Sequence, residues 1–365
     1  MGYDIRVNKR VFTEGEQMGN IGINATEIAR IAGVSRSTVS RVINNYSNVP
    51  PETRKKVMEI IDQHRYVPNV SAQVLAGKKT RTIGMFMIEK GHVAGDFISN
   101  MLLANVIESA SSHGYYVLTH IIRGRCDSDS IRGVKDIFYQ RRIDGGLFFG
   151  AADDEPFIEE LVSEGFWVAC VDQSFEGREE QPNRMVGDLN NEWAMKQAVS
   201  HLAALNHKEI GHIGGDLTRY SGIAKLEGFR KAMLECGLRI NEEWILPGAF
   251  HEEVGYEAMK GFLASGKRLP TAIVMANDSV AFGAIRALRE HGLDVPRDIS
   301  IVGLDDHALS ARFQPALTTL RVDFAGMLEQ LTASLIRHIE KKEVGAEKVT
   351  ADVHLIARDS CRYIS

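Results

Sequence analysis

The chain is poor in cysteine and has no long apolar run, and both shortages narrow what it can be. Its four cysteines, Cys126, Cys170, Cys236 and Cys361, stand far apart, and no two have the spacing of a metal site or a redox motif. A reducing, cytoplasmic setting is the reading that follows. No apolar stretch approaches the roughly 18 residues of a membrane span. The opening MGYDIRVNKRVFTEG lacks the apolar core of a signal peptide, so export is not expected. Sequence signatures of several enzyme classes are missing too. There is no GxSxG elbow, no GxxxxGK[ST] loop, no HExxH and no GxGxxG with a following ribose-binding acid. His201, His207 and His212 straddle a helix end and a strand, so neither a metal site nor any other cofactor is expected.

Net positive charge is also absent, since the chain carries −5. Its distribution is uneven. The first 79 residues hold 12 Lys/Arg and 7 Asp/Glu, a net of +5, which leaves −10 on the rest. A cationic head on an acidic body fits a nucleic-acid-binding module joined to a part that does not bind nucleic acid. At 365 residues with 44% hydrophobic composition, two or three domains with real cores are expected.

The head is organised around NATEIARIAGVSRSTVSRVINN, Asn24 to Asn45. Asn24 is an N-cap, with Glu27 placed to bond back to it. Ile28 and Ile31 supply an apolar stripe, and Gly33 ends the helix where a left-handed residue costs little. Ser35 caps a second helix, from Arg36 to about Asn44, whose Val39, Val42 and Ile43 share an inward face. That leaves Arg36, Ser37, Ser40, Arg41 and Asn44 outward, with Thr38 beside them. Arginine can fork onto guanine in a major groove, Asn onto adenine, and hydroxyls onto bases or phosphates. A third helix starts at Pro50-Pro51, with Val57, Ile60 and Ile61 inward and Arg54, Lys55 and Lys56 outward, suited to phosphate or simply solvated. Residues 1–22 show no periodicity and read as a disordered tail, in which Arg6, Lys9 and Arg10 are available to a DNA backbone.

After Pro68 the short segment VSAQVLAG, opened by Asn69 and closed by Gly77, is a marginal helix in isolation. From Thr82 the pattern changes to short apolar runs alternating with amphipathic stretches. Runs start at Ile83, Tyr115, Asp144, Trp167, Glu209, Thr271 and Ile299, and they read as parallel strands covered on both faces. Polar residues gather at their C-terminal ends: Glu89, Asp172, Asp216, Asn277 with Asp278, and Asp305 with Asp306. Open parallel sheets bind ligands at those ends. Asp278 and Asp216 are the ones expected merely to cap the helices that follow.

AGVSRSTVSRVIN and YVPNVSAQVLAGKKTRTIG resemble the helix-turn-helix and hinge of the lactose-repressor/galactose-repressor (LacI/GalR) family of bacterial regulators, and the likeness runs from about Ile23 to Cys361. The resemblance implies an all-α helix-turn-helix head and an α/β, periplasmic-binding-protein-like body of two doubly wound parallel-sheet lobes. It implies a tail over 1–22, a DNA-binding domain over 23–67, a hinge helix and linker over 68–81, and a ligand-binding domain over 82–360. Within the last, the N-lobe takes about 82–186 and 321–350, and the C-lobe about 187–320 and 351–360. It implies that Asn69, Ala72 and Leu75 of the hinge meet DNA, with Leu75 wedged into the minor groove. Met18 would give the short lead typical of relatives.

The same resemblance places Asp172, Ser221, Lys225, Phe250, Asn277, Asp305 and Phe324 around a small ligand, with Asp96 and Phe97 and their neighbour His92 as further contacts from the loop IEKGHVAGDF. Lys225 stands where relatives carry Arg, Gln73 likewise, and Gly150 and Val322 where some carry polar side chains. The implied protein is a sequence-specific transcriptional regulator, expected to be a repressor. It is expected to act as a homodimer on near-palindromic double-stranded operator DNA and to answer to a carbohydrate-like effector, with no membrane partner. HLIARDSC matches the family's last strand, and no leucine heptad follows it. The alternative kept beside it is an enzyme, or a sugar-binding protein, with an appended DNA-binding head.

Overall fold

A computed structural model describes residues 23–67, 74, 77–88, 97–123, 128–341, 343 and 345–365. The chain divides into two compact units, Met1–Lys78 and Lys79–Ser365.

The first unit holds α1 (Ala25–Ala32), α2 (Arg36–Ile43) and α3 (Pro51–Gln63). Asn24 caps α1, its Oδ1 accepting the Thr26 and Glu27 N–H groups at 3.0 Å each. Gly33 ends the helix at φ +67°, a conformation that costs glycine nothing. Ile28, Ala29, Ala32, Val39, Val42, Val49, Val57 and Ile60 form the core. Two expectations shift. Ile31 is 38% exposed, because Ala29 and Ala32 flank Ile28 on the buried face and turn Ile31 to its margin. Glu27 does not reach back to the cap. Its Oε1 accepts from Arg30 Nε at 3.0 Å, since a charged fork one turn along is the stronger partner.

Twelve strands are described in the second unit: β1 (Thr82–Ile88), β2 (Tyr116–Ile122), β3 (Gly145–Phe149), β4 (Val168–Val171), β5 (Arg184–Leu189), β6 (Ile210–Ile213), β7 (Ile245–Leu246), β8 (Ala272–Met275), β9 (Ser300–Asp305), β10 (Thr318–Val322), β11 (Glu347–Ala351) and β12 (Val353–Ile356). The helices between them are α4 (Phe97–Ser112), α5 (Ser128–Tyr139), α6 (Pro156–Ser163), α7 (Asn191–Ala204), α8 (Tyr220–Glu235), α9 (Glu252–Ala264), α10 (Asp278–Glu290) and α11 (Phe324–Lys341). One sheet, ordered β11-β5-β4-β3-β1-β2, is parallel throughout and makes the N-lobe. The other, β12-β10-β9-β8-β6-β7, makes the C-lobe and is parallel except where β12 runs against β10. The chain passes between sheets after Leu189, Val322 and Ala351. The boundaries that the resemblance implied, at about 186/187, 320/321 and 350/351, fall inside β5, β10 and β11, within a few residues of each crossing.

Strands β5 and β10 are hidden by the buried polar residues they carry, and β11 by exposed polar residues that alternate with its apolar ones. Arg184, Asp188, Thr318 and Thr319 are all buried. Edge strand β2, conversely, exposes Tyr116 near its start on one face and Thr119 and Ile121 on the other, so it is not covered as its apolar run suggested.

Arg184 is wholly buried and donates to Glu159 Oε1 at 2.6 Å and Gln173 Oε1 at 2.9 Å. Nearby Arg178 donates to Asp153 Oδ1 at 3.1 Å and Asp154 Oδ1 at 2.9 Å, and Ser174 N–H joins Asp153 Oδ1 at 2.7 Å. Together these groups tie the loop after β3 to the loop after β4. A buried guanidinium stripped of its carboxylate is costly. Glu159→Ala should therefore lower stability by about 3 kcal/mol, read as a lowered urea midpoint with unchanged slope. A midpoint like that of a surface Glu→Ala control would refute the role given to this pair.

Candidate functional site

Two groups of residues invite a functional reading, one in each unit. On α2, Arg36, Ser37, Ser40 and Arg41 are exposed, while Thr38 and Asn44 are half-buried. Ser35, the N-cap, accepts the Thr38 N–H at 3.1 Å and shares hydroxyl bonds with Ser37 at 2.7 Å and Thr38 at 2.9 Å. Asn44 Nδ2 donates to Ser40 Oγ at 3.2 Å along the same face. Arg36 and Arg41 are exposed and have no ion-pair partner among the described residues. Lys55 and Lys56 are exposed on α3. Arg54, expected outward beside them, is not: it donates to Asn45 Oδ1 at 2.7 Å, to Val42 O at 3.4 Å and to Tyr46 O. The left-handed Asn45, at φ +54°, brings those acceptors together. Asn69, Ala72 and Leu75 lie outside the described residues.

In the second unit the strand ends of both sheets border one cavity of about 400 Å³. Asp172, Ser221, Lys225, Phe250, Asn277, Asp305 and Phe324, singled out from sequence, all line it. So do Asp188, Arg219 and His251, which the sequence reading missed. Asp188 stands next to the end of β5, a strand without an apolar run to announce it, and Arg219 precedes α8 with no pattern to mark it. Asp96 lies outside the described residues, and Phe97 opens α4 without a described side chain. The size is that of a small-molecule site. The wall is divided, with Met87, Ile88, Phe149 and Phe324 from the N-lobe side largely apolar and most polar groups on the other.

Asp172 and Ser221 come from opposite lobes and meet. Ser221 N–H donates to Asp172 Oδ1 at 2.8 Å, and Ser221 Oγ to Asp172 Oδ2 at 2.9 Å. Ser221 is the second residue of α8, so an N-lobe carboxylate sits at the positive end of a C-lobe helix. Burial pushes the Asp172 carboxyl up, against the pull of Lys225, Ser221 and Arg219. Lys225 is buried, its Nζ 5.1 Å from the centroid of Phe250, and the Arg219 guanidinium lies 5.7 Å from the same ring. This is cation–π geometry, which holds the ring face against two donors. Gly150, at φ +74°, leaves space that a side chain would take: a Cβ there would stand 2.5 Å from Ile88 O and 3.2 Å from Arg219 Nη2. Burial also raises Asp188 to about 6, with Lys348 opposing.

The capping role expected of Asp278 falls to Asn277, which lines the cavity as well. Asn277 caps α10, accepting Val280 N–H at 2.9 Å, while its Nδ2 donates to Phe250 O at 2.9 Å. Asp278 is not a cap. It is fully buried and accepts His307 N–H at 2.7 Å and Ser310 Oγ–H at 2.6 Å on Oδ2, and Thr319 Oγ1–H at 2.5 Å on Oδ1. The chain there runs through Asp305 and Asp306 at φ +106° and +53°, conformations that need outside support. Asp278 supplies part of it through His307, and Asp306 is held by Arg358 at 2.6 Å and Arg321 at 2.7 Å. Asp216 does not cap a helix either, its Oδ1 closing a turn with Thr218 N–H at 2.9 Å. His207 bonds Thr271 and Arg362 O, and His212 bonds Val274 O and stacks on Phe229. No three metal-ligating side chains cluster among the described residues.

Residues 25–69 match the family model for bacterial regulatory proteins of the lacI family, and residues 199–361 match that for a periplasmic binding protein-like domain. A Haemophilus influenzae (strain ATCC 51907 / DSM 11121 / KW20 / Rd) protein named HTH-type transcriptional repressor PurR is 32% identical over 347 residues, covering 93% of this chain and 98% of that one. Its namesake from Pasteurella multocida (strain Pm70) is 32% identical over 341 residues, covering 92% and 98%. A crystal structure of the Lac repressor dimer bound to operator and the anti-inducer ONPF superposes with a TM-score of 0.77 at 27% identity, over 93% of this chain and 99% of that one. A complex of the transcriptional regulator CelR with cellobiose gives a TM-score of 0.71 at 25% identity, with the same coverage.

Asp278 gives the cavity's border a pH signature. Burial lifts its carboxyl to about 6, against the hydrogen bonds from Ser310, Thr319 and His307. The folded value lies above the unfolded one, so this group's contribution to stability is complete below about pH 4 and is lost as pH rises through about 6. Asp278→Asn removes that dependence. Its stability deficit against wild type should narrow by on the order of 3 kcal/mol between pH 4 and pH 7, read from urea midpoints. A deficit that stays constant or widens would contradict the assignment.

Proposed function

This chain belongs to the lacI family of bacterial regulatory proteins, and from that premise we propose that it is a transcriptional repressor whose hold on operator DNA is set by a small ligand between its lobes. The head supplies the reading surface. Arg36 and Ser37 address base edges in the major groove, and Arg41, Ser40, Thr38 and Asn44 add base or phosphate contacts. Asn69, Ala72 and Leu75 extend that contact into the minor groove. Two copies, related by a twofold axis, read the halves of a near-palindromic site.

The cavity is the sensor. Asp305, Asp188 and Lys225 suit a hydroxyl-rich ligand, and Phe250 and Phe324 suit the apolar face of a sugar ring. A carbohydrate or sugar derivative of modest size is the effector class this lining favours. The relatives named PurR are transcriptional repressors, and no catalytic step is assigned to this site. Among the described residues no helix is long and apolar enough to cross a membrane.

The observation that carries the reading is the bond between Asp172 and Ser221 inside the cavity. A ligand seated there must either keep this contact between lobes or replace it. It thereby prefers one lobe arrangement, which is the condition for shifting DNA affinity.

Asp305→Ala should leave operator affinity unchanged while abolishing the response to whichever metabolite alters wild-type binding in an electrophoretic titration. A normal response would place the sensor elsewhere. Arg36→Ala should cost ~1–3 kcal/mol at one base position and relax preference there, seen in the sequence profile selected from randomised duplexes. An unchanged profile would remove Arg36 from the reading role.

A further inference from the structure

The reader helix α2 is too short to set its own pitch, and Arg54 is placed to set it. Helix α2 has eight residues, well below the length at which an isolated helix holds in water. Its C-terminal end closes with Asn45 N–H bonded to Val42 O and Tyr46 N–H to Arg41 O, both at 3.0 Å, around the left-handed Asn45. Arg54 leaves the first turns of α3 and inserts its guanidinium into that closure. One terminal nitrogen donates to Asn45 Oδ1 at 2.7 Å and Val42 O at 3.4 Å, and the other to Tyr46 O. A cation at a helix C-terminus is favoured by the helix dipole. A planar fork that takes three oxygens also fixes an angle, which a lysine's point charge cannot do.

We propose that Arg54 is a positioning residue for base readout: it locks the C-terminal end of α2 to α3, so that Arg36, at the start of α2, reaches its base edge while Arg41, five residues on, makes its own contact with the DNA. It acts through α2 and touches no nucleic acid. This rests on α2 being the reader, and it departs from the phosphate contact that a cation on the outside of α3 otherwise suggests. The two roles separate cleanly. A phosphate contact contributes equally to all sequences and about 0.9 to the salt slope. A positioning residue contributes to the ratio between the right sequence and all others and leaves the slope on random DNA alone.

The test uses the full-length chain and a duplex recovered by the wild type from a randomised pool, with a scrambled duplex as reference. Arg54→Lys keeps the charge and loses the fork, and Arg54→Gln loses both. Both should lower the selected-to-scrambled affinity ratio at least tenfold, with the salt dependence on scrambled duplex unchanged. Asn45→Gly, which keeps the left-handed turn but removes the Oδ1 acceptor, should lower the ratio in the same direction and add little to Arg54→Lys. If Arg54→Gln unfolds the head, seen as lost helical signal, Arg54→Lys and Asn45→Gly carry the comparison alone. A wild-type ratio in Arg54→Lys overturns the proposal, as does an equal loss on both duplexes in Arg54→Gln with a salt slope smaller by about one. A wild type that recovers no shared motif overturns the reader assignment itself, and this proposal with it.

Discussion

The body depends on one covalent constraint. The chain crosses between its two sheets three times, after Leu189, Val322 and Ala351, so neither lobe can move without turning about those crossings. Strand β5 ends at one crossing, β10 at another and β11 at the third. Each sheet is parallel over most of its width, which sends the polar ends of its strands to a single edge. The cavity is bordered by those ends from both sheets. Asp172, Asp188, Asn277 and Asp305 meet there because four separate strands finish there, not because they are near in sequence.

A second layer of residues holds these ends in place without reaching the cavity. Arg178 and Arg184 tie the loops that carry Gly150 and Asp172. Asp278 holds His307, which follows the left-handed pair Asp305–Asp306. The head shows the same economy on a smaller scale, where Arg54 fastens the end of α2. In each case a charged group turns inward and is met by several partners: carboxylates and an amide for the two arginines of the body, hydroxyls and backbone for Asp278, and an amide and backbone oxygens for Arg54. That is how a few buried charges are tolerated.

Much of this was legible in the sequence, for identifiable reasons. The caps Asn24 and Ser35, the left-handed Gly33 and the spacing of Val39 and Val42 are local signals, and local signals survive without a structure. Seven cavity residues were also legible, since each ends or follows an apolar run or lies in a segment that resembles the family. What stayed hidden was decided by partners distant in sequence. Asp278 reads as a cap until Ser310 and Thr319 are seen to claim it. Arg54 reads as a solvated cation until Asn45 turns left-handed beneath it. Strands β5 and β10 were obscured because their buried Arg184, Asp188, Thr318 and Thr319 find hydrogen-bonding partners that hydropathy cannot reveal. The antiparallel sense of β12 depends on β10 alone.

The central claim is that occupancy of the cavity and the hold on operator DNA are coupled through the lobes. Coupling of this kind is reciprocal: a ligand that changes operator affinity by some factor must have its own affinity changed by operator through the same factor. The most direct measurement takes the metabolite that most raises the melting temperature of the full-length chain and determines its affinity with and without operator by calorimetry, beside operator affinity with and without the metabolite. The account predicts two equal factors, both different from one. A metabolite that binds tightly in the cavity and leaves operator affinity untouched would contradict it.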